Sequence, residues 1–192
     1  IATLKEHGRN PWMLAGDLVF RVPQVGRFVR RMGNARADPG ETAALLKDGH
    51  LLAVFPEGYE GIGKGWANRY RLEQFGRGGF VKMALRAGAP ILPVGIIGAE
   101  QIYPMIANAR SLADTLRLPY FPVTPTFPLL GVFGLIPLPA KCHVEFGPPI
   151  PTVDYGPEAA DDRGLVRDLT ERVRRTVQAI LEARVGTREG KG

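Results

Sequence analysis

Short runs of apolar residues alternate along the chain with segments in which apolar positions recur every three or four residues. That alternation predicts strands interleaved with helices, an α/β organisation. Leu51-Leu52-Ala53-Val54-Phe55 is the clearest buried strand, closed by the turn formers Pro56 and Gly58. Ile91–Ile97 and Cys142–Phe146 read as two further buried strands, and Trp12–Ala15 as a short one. Helices are predicted from Asp17, as N-cap, through Arg31, and over Glu41–Lys47, ended by Gly49. Another covers Gly79–Arg86, with Phe80, Met83, Ala84 and Ala87 inward and Gly88 as its stop. Leu165, Leu169, Val173, Val177 and Leu181 recur at every fourth position. They predict an amphipathic closing helix with Arg167, Arg174, Arg175 and Arg184 outward.

One segment breaks the alternation. Leu118–Ala140 is 23 residues without a charge, long enough to span a bilayer. Its six prolines and two glycines forbid a continuous helix, and the backbone groups they free have no partners in lipid. Two readings remain: a buried extended connection, or a hydrophobic flap that touches a bilayer surface or lines a lipid channel.

At 192 residues the chain is expected to form a single domain over 1–192. With 45% hydrophobic and 23% charged residues it is neither disordered nor fibrous. The lone Cys142 excludes an internal disulfide or a cysteine-rich zinc site and fits a reducing compartment. A net charge of +6 favours anionic partners: nucleic acid, phosphorylated metabolites or acidic lipid. The first residue is Ile, and Ala2, Leu4 and Lys5 read like the end of a helix. The expectation is a chain that continues upstream of Ile1.

Candidate chemistry begins where the first buried strand ends. Pro56 and Gly58 turn the chain and display Glu57 where α/β sheets place ligands. A carboxylate there either binds a hydroxyl, anchors a phosphate-holding arginine, or is simply an exposed turn residue. Gly58, Gly63 and Lys64 satisfy the spacing of a P-loop, but Gly65 stands where the magnesium-binding Ser or Thr belongs. Residues 60–90 hold six basic and two acidic side chains, and residues 1–40 hold seven and three. These stretches are either solvated basic faces or a rim for phosphate or headgroups.

Phe55-Pro56-Glu57-Gly58, followed by Gly78-Gly79-Phe80-Val81-Lys82-Met83-Ala84-Leu85-Arg86-Ala87-Gly88-Ala89-Pro90-Ile91-Leu92-Pro93-Val94, resembles the glycerolipid acyltransferase family. That family includes the lysophosphatidate acyltransferases, and the diacylglycerol acyltransferases are similar in this region. The FPEG block looks like the family's third motif and Leu92-Pro93-Val94 like its fourth. The resemblance covers roughly residues 10 to 150. It implies a glycerol-phosphate-acyltransferase-like α/β fold, a mixed and mostly parallel sheet flanked by helices. It also implies transfer of a fatty acyl group from acyl-CoA or acyl carrier protein to a hydroxyl of a glycerolipid such as lysophosphatidate. No metal or other cofactor is implied.

In the family an HxxxxD box carries the catalysis: His is the general base on the acceptor hydroxyl, and Asp orients the imidazole. Here His7, His50 and His143 are followed five residues on by Trp12, Phe55 and Pro148. No catalytic residue is therefore assigned in this chain, and the box is expected upstream. By resemblance, Phe55, Pro56, Glu57 and Gly58 hold the acceptor, while Arg36 and Lys64 bind phosphates. Many members end their second motif in Asp-Arg, whereas Asp38 is followed here by Pro39. Arg36 either takes over that arginine's role or is a surface charge. After FPEG many members continue with Thr and Arg, but Tyr59 and Glu60 stand here. An acceptor phosphate would then need Arg36, Lys64 or Arg69. The implied partners are acyl-CoA, a glycerolipid acceptor and an anionic membrane surface, with the protein peripherally attached on the cytoplasmic side. The alternative is a non-catalytic relative of the same fold that binds lipid or anionic membrane. No nucleic-acid partner is expected, because no RNA-binding aromatic-strand signature or zinc spacing occurs.

Overall fold

A computed structural model of the chain describes residues 11–15, 23–58, 61, 64–102, 104, 107–108, 122–124, 129, 131 and 138–189. Most of Leu118–Ala140, together with His7, Asp17, Tyr59, Glu60 and Gly63, lies outside the described residues. The chain divides into two compact units, each assembled from three segments. The first comprises Ile1–Pro56, Gly76–Ile91 and Ile150–Thr170; the second comprises Glu57–Phe75, Leu92–Pro149 and Glu171–Gly192.

In the first unit, β1 (Pro11–Ala15), β2 (Asn34–Arg36) and β3 (Leu51–Ala53) form a wholly parallel sheet in the order β2-β1-β3. Parallel neighbours need crossover connections, and two helices supply them. These are α1 (Pro23–Arg31) before β2 and α2 (Pro39–Lys47) before β3. Asp38 starts α2 as its N-cap: its carboxylate accepts from the N–H groups of Gly40 at 2.9 Å and Glu41 at 3.1 Å. Pro39 follows at the first helical position, where a missing N–H does no harm. Arg30 of α1 donates to both carboxylate oxygens of Glu41 on α2, at 2.8 and 3.4 Å.

The strand read as the clearest buried one is shorter and more open than expected. β3 keeps three of its five predicted residues, while Val54 is 37% and Phe55 56% exposed. Among the described residues its strand partner is β1.

The helix α3 (Gly79–Ala87) buries Val81, Ala84 and Leu85, with Phe80, Met83 and Ala87 half-buried. The predicted inner face is thus rotated by one residue. Apolar residues surround most of this helix, so its period left the rotation open. Packing against the 3-10 turn Pro157–Asp161 and against α2 decides it. At the other end, Gly88 closes the helix with φ +61°, and the buried Thr152 hydroxyl donates to the Ala89 carbonyl at 2.8 Å.

In the second unit, β4 (Val94–Ile97) pairs antiparallel with β7 (His143–Phe146), Val94 opposite Phe146 and Ile97 opposite His143. A small antiparallel pair, β5 (Ala107–Asn108) with β6 (Pro122–Val123), accompanies it. The closing helix α4 (Arg163–Glu189) starts in the first unit, capped by Asp162, and continues through the second. Val166, Leu169, Val173, Val177 and Leu181 form its buried stripe, with Leu165 only half-buried. Gly95 and Gly147 lie so close to Ile180 on α4 that a side chain at either would press on it. The helix covers that face of the β4–β7 ribbon alone. Ile96, Val144 and Phe146, on the opposite face, are 37%, 54% and 64% exposed. Of the two predicted buried strands, β4 is buried on one side only, and β7 has no buried residue, with His143 exposed and Glu145 half-buried on the helix side. On α4, the bond from Arg174 holds the Glu171 carboxyl below its ordinary value. Its contribution to stability is present above the usual carboxylate range and fades as pH falls through the lowered value.

Gly78, the first glycine of the GGF run, has φ +70° and precedes α3. A Cβ there would lie 2.6 Å from Thr170 Oγ1 and 2.7 Å from Val166 Cγ1 on α4. Strain in the left-handed region and overpacking therefore add. Gly78→Ala is expected to destabilise the protein by about 2–4 kcal/mol, seen as a lower denaturation midpoint; an unchanged midpoint contradicts this account.

Candidate functional site

The turn after β3 grows directly out of the parallel sheet. Pro56 ends the extended segment, and Gly58 has φ +58°, a conformation that L side chains rarely adopt. Between them Glu57 folds back under the turn, where only 17% of its side chain is exposed. Lys64 meets it, with 11% of its own side chain exposed, and its Nζ donates to Glu57 Oε1 at 3.0 Å and Oε2 at 3.1 Å. The third ammonium hydrogen goes to the Arg71 carbonyl at 2.7 Å. Glu57 Oε1 also accepts the backbone N–H of Glu73. Glu57 and Lys64 thus tie three separate stretches of chain together. Gly61 belongs to the same knot, since a Cβ there would lie 2.7 Å from Glu57 Cβ.

Such a pair is not a surface salt bridge of small effect. Both charges are largely withdrawn from water; all three ammonium hydrogens are used, while among the described residues Glu57 Oε2 receives only Lys64 and can accept once more. Removing one partner of such a pair strands the other.

Beside this knot, the guanidinium of Arg69 stands 4.5 Å from the centre of the Trp66 ring and 5.1 Å from that of Tyr70. It also donates to the Trp66 carbonyl at 2.9 Å. Cation–π contacts of this kind hold the arginine on the half-exposed aromatic surface.

The other sequence-predicted residues belong to the first unit. Arg36 is the last residue of β2, exposed, and paired in register with Ala15 at the end of β1. Met13 pairs with Ala53, so Phe55 comes two residues after the β3 end of that register. Arg36, Phe55 and Pro56 therefore follow the carboxyl edge of one parallel sheet, where α/β proteins bind ligands. Asp38-Pro39, which stands where an Asp-Arg pair was expected, is the N-cap and first residue of α2. Sequence reasoning missed the Arg71 carbonyl and the Glu73 amide, because every residue carries such groups and no side-chain type marks them.

The acyltransferase family profile matches residues 1–97, which take in the parallel sheet, the FPEG turn and β4. The chain belongs to the acyltransferase family. Among relatives of this acyltransferase chain, the uncharacterized protein Rv0502 of Mycobacterium tuberculosis is 49% identical over 183 residues, covering 94% of this chain and 51% of its own. The DGAT1/2-independent enzyme synthesizing storage lipids of Gallus gallus is 27% identical over 185 residues, covering 88% and 46%. The chain spans about half the length of the curated relatives it matches. Its fold is similar to the crystal structure of the 1-acyl-sn-glycerophosphate (LPA) acyltransferase PlsC from Thermotoga maritima. The TM-score is 0.50 at 18% identity, over 90% of this chain and 56% of that one. The α/β class with a parallel sheet and flanking helices is as the sequence predicted. Among the described residues, no helix is long and apolar enough to cross a membrane.

The buried pair gives a direct stability test. Lys64→Met is expected to destabilise the acyltransferase chain by about 3–5 kcal/mol. Adding Glu57→Gln to it should restore much of that loss, because the amide still accepts the Glu73 N–H without a stranded charge. Chemical denaturation of both variants measures the difference; equal losses would show that the charge pairing does not govern the turn.

Proposed function

We propose that this chain forms the acceptor-binding part of an O-acyltransferase that moves a fatty acyl group from an acyl thioester to a hydroxyl of a glycerolipid such as lysophosphatidate. The donor is acyl-CoA or acyl carrier protein. A histidine of an HxxxxD box outside residues 1–192 takes the acceptor's hydroxyl proton, and the oxygen attacks the thioester carbonyl carbon. The C–S bond then breaks, and the departing thiolate takes the proton back. Atoms and charge balance with no metal or redox partner in the step.

In this reading Glu57 accepts a hydrogen bond from the acceptor, and the bare backbone of Gly58 lets the headgroup approach. Phe55 and Pro56 form the apolar wall beside it. Arg36 takes the acceptor phosphate, and Lys64 fixes the Glu57 carboxylate while adding positive charge nearby. The observation that carries the reading is a carboxylate fixed at the end of a parallel strand in a chain of this family. The names of the relatives, one making storage lipids and one acting on a lysophospholipid, favour a glycerolipid as acceptor. A net charge of +6 suits an anionic lipid surface, with the protein held peripherally on its cytoplasmic side.

The test uses the full-length protein with oleoyl-CoA and either lysophosphatidate or uncharged diacylglycerol. Glu57→Ala should raise the KM for the acceptor by about tenfold or more. Normal kinetics would remove Glu57 from the site. Arg36→Ala should weaken use of lysophosphatidate and leave diacylglycerol unaffected; an equal effect on both acceptors excludes a phosphate contact.

A further inference from the structure

Gln178 lies on α4, far along the chain from Glu57 but in the same unit. Its side-chain oxygen accepts the Leu72 N–H at 2.9 Å, and its side-chain nitrogen donates to the Tyr70 carbonyl at 3.1 Å. One amide thus pairs with the backbone on either side of Arg71, as a neighbouring residue does in a parallel ladder. The remaining N–H of Gln178 goes to Glu182 Oε1 at 3.0 Å. A carboxylate only accepts, so Glu182 also settles which way round the amide sits.

In a trans peptide the N–H and C=O point to opposite sides. The Arg71 N–H shares a peptide with the Tyr70 carbonyl, and the Arg71 carbonyl shares one with the Leu72 N–H, so the groups of Arg71 face away from Gln178. Its N–H reaches the Asn68 carbonyl at 3.0 Å, and its carbonyl receives Lys64 Nζ at 2.7 Å. Lys64 in turn grips both oxygens of Glu57. Hydrogen bonds joined through the peptide between Arg71 and Leu72 run from the closing helix to the FPEG carboxylate.

We infer that Gln178 is a positioning residue for Glu57: by clamping residues 70–72 to α4 it sets the place of the Arg71 carbonyl, and through Lys64 the place of the Glu57 carboxylate. The functional half of this inference rests on the reading of Glu57 as an acceptor-binding group. The structural half does not. A side chain that only stabilised the fold would change unfolding without selectively changing how the acceptor binds.

The experiment is Gln178→Met in the full-length protein, which keeps the side chain's bulk and removes both backbone bonds. Amide exchange at Leu72 and at Glu73 should accelerate. With oleoyl-CoA and lysophosphatidate, the acceptor KM should rise about five- to tenfold, with a much smaller change in kcat. Gln178→Glu, which keeps an acceptor for Leu72 but sets a carboxylate against the Tyr70 carbonyl, should show both effects and serves if the Met variant folds poorly. Unchanged protection at Glu73 overturns the inference whatever the activity. So does a normal KM in the Gln178 variants when Glu57→Ala raises it. If Glu57→Ala has normal kinetics, the acceptor-site reading fails by itself, and exchange at Glu73 still decides whether Gln178 positions the carboxylate.

Discussion

The ion pair between Glu57 and Lys64 organises the second unit's loop, and its strength comes from being both charged and largely dry. Two opposite charges at 3.0 Å attract strongly once water is excluded, but withdrawing them from water is unfavourable. The balance favours the fold because backbone groups add hydrogen bonds to both charges. The Arg71 carbonyl takes the third proton of Lys64, and the Glu73 amide meets Glu57. Glu57, Lys64, Arg71 and Glu73 are held together in this way against the conformational entropy of the chain.

The pair follows the parallel sheet directly in the chain. β3 delivers Phe55 and Pro56 to the carboxyl edge of the parallel sheet, and the chain enters the loop at the next residue. Arg36 reaches that edge from β2 because the sheet is parallel and its carboxyl ends lie together. Small residues then permit close approach where bulk would block it. Gly61 leaves room for Glu57, and Gly78 for Val166 and Thr170. Gly58, Gly78 and Gly88 of the family-like run thus answer to packing and turn geometry, whatever chemistry the site performs.

Much of the architecture was legible from apolar period and turn formers. The short strand at Trp12, the helix ended by Gly49, the helix stopped by Gly88 and the long closing helix all stand near their predicted places. Burial was less legible. LLAVF and the strand around Val94 carry apolar residues on both faces, which reads as full burial in one dimension, whereas around Val144 the apolar residues alternate with His143 and Glu145. In three dimensions Val54, Phe55, Ile96, Val144 and Phe146 all remain exposed. The rotation of α3 was open for a related reason, since Phe80, Val81, Met83, Ala84 and Leu85 offer two neighbouring faces of similar hydrophobicity.

For the site, local spacing and residue type by themselves determined the turn that follows a strand, through backbone rules that act over a few residues: proline's fixed φ, glycine's freedom and the alternation of strand and helix. The set Phe55, Pro56, Glu57, Gly58, Arg36 and Lys64 came from the resemblance of the sequence to a family. Only the tertiary structure decided that Lys64 spends its charge on Glu57 and that Gln178 reaches back to residues 70–72. The physical reason is that these are contacts of specific atoms, several of them backbone groups common to every residue. Their pairing depends on how distant segments pack rather than on anything a neighbouring side chain announces.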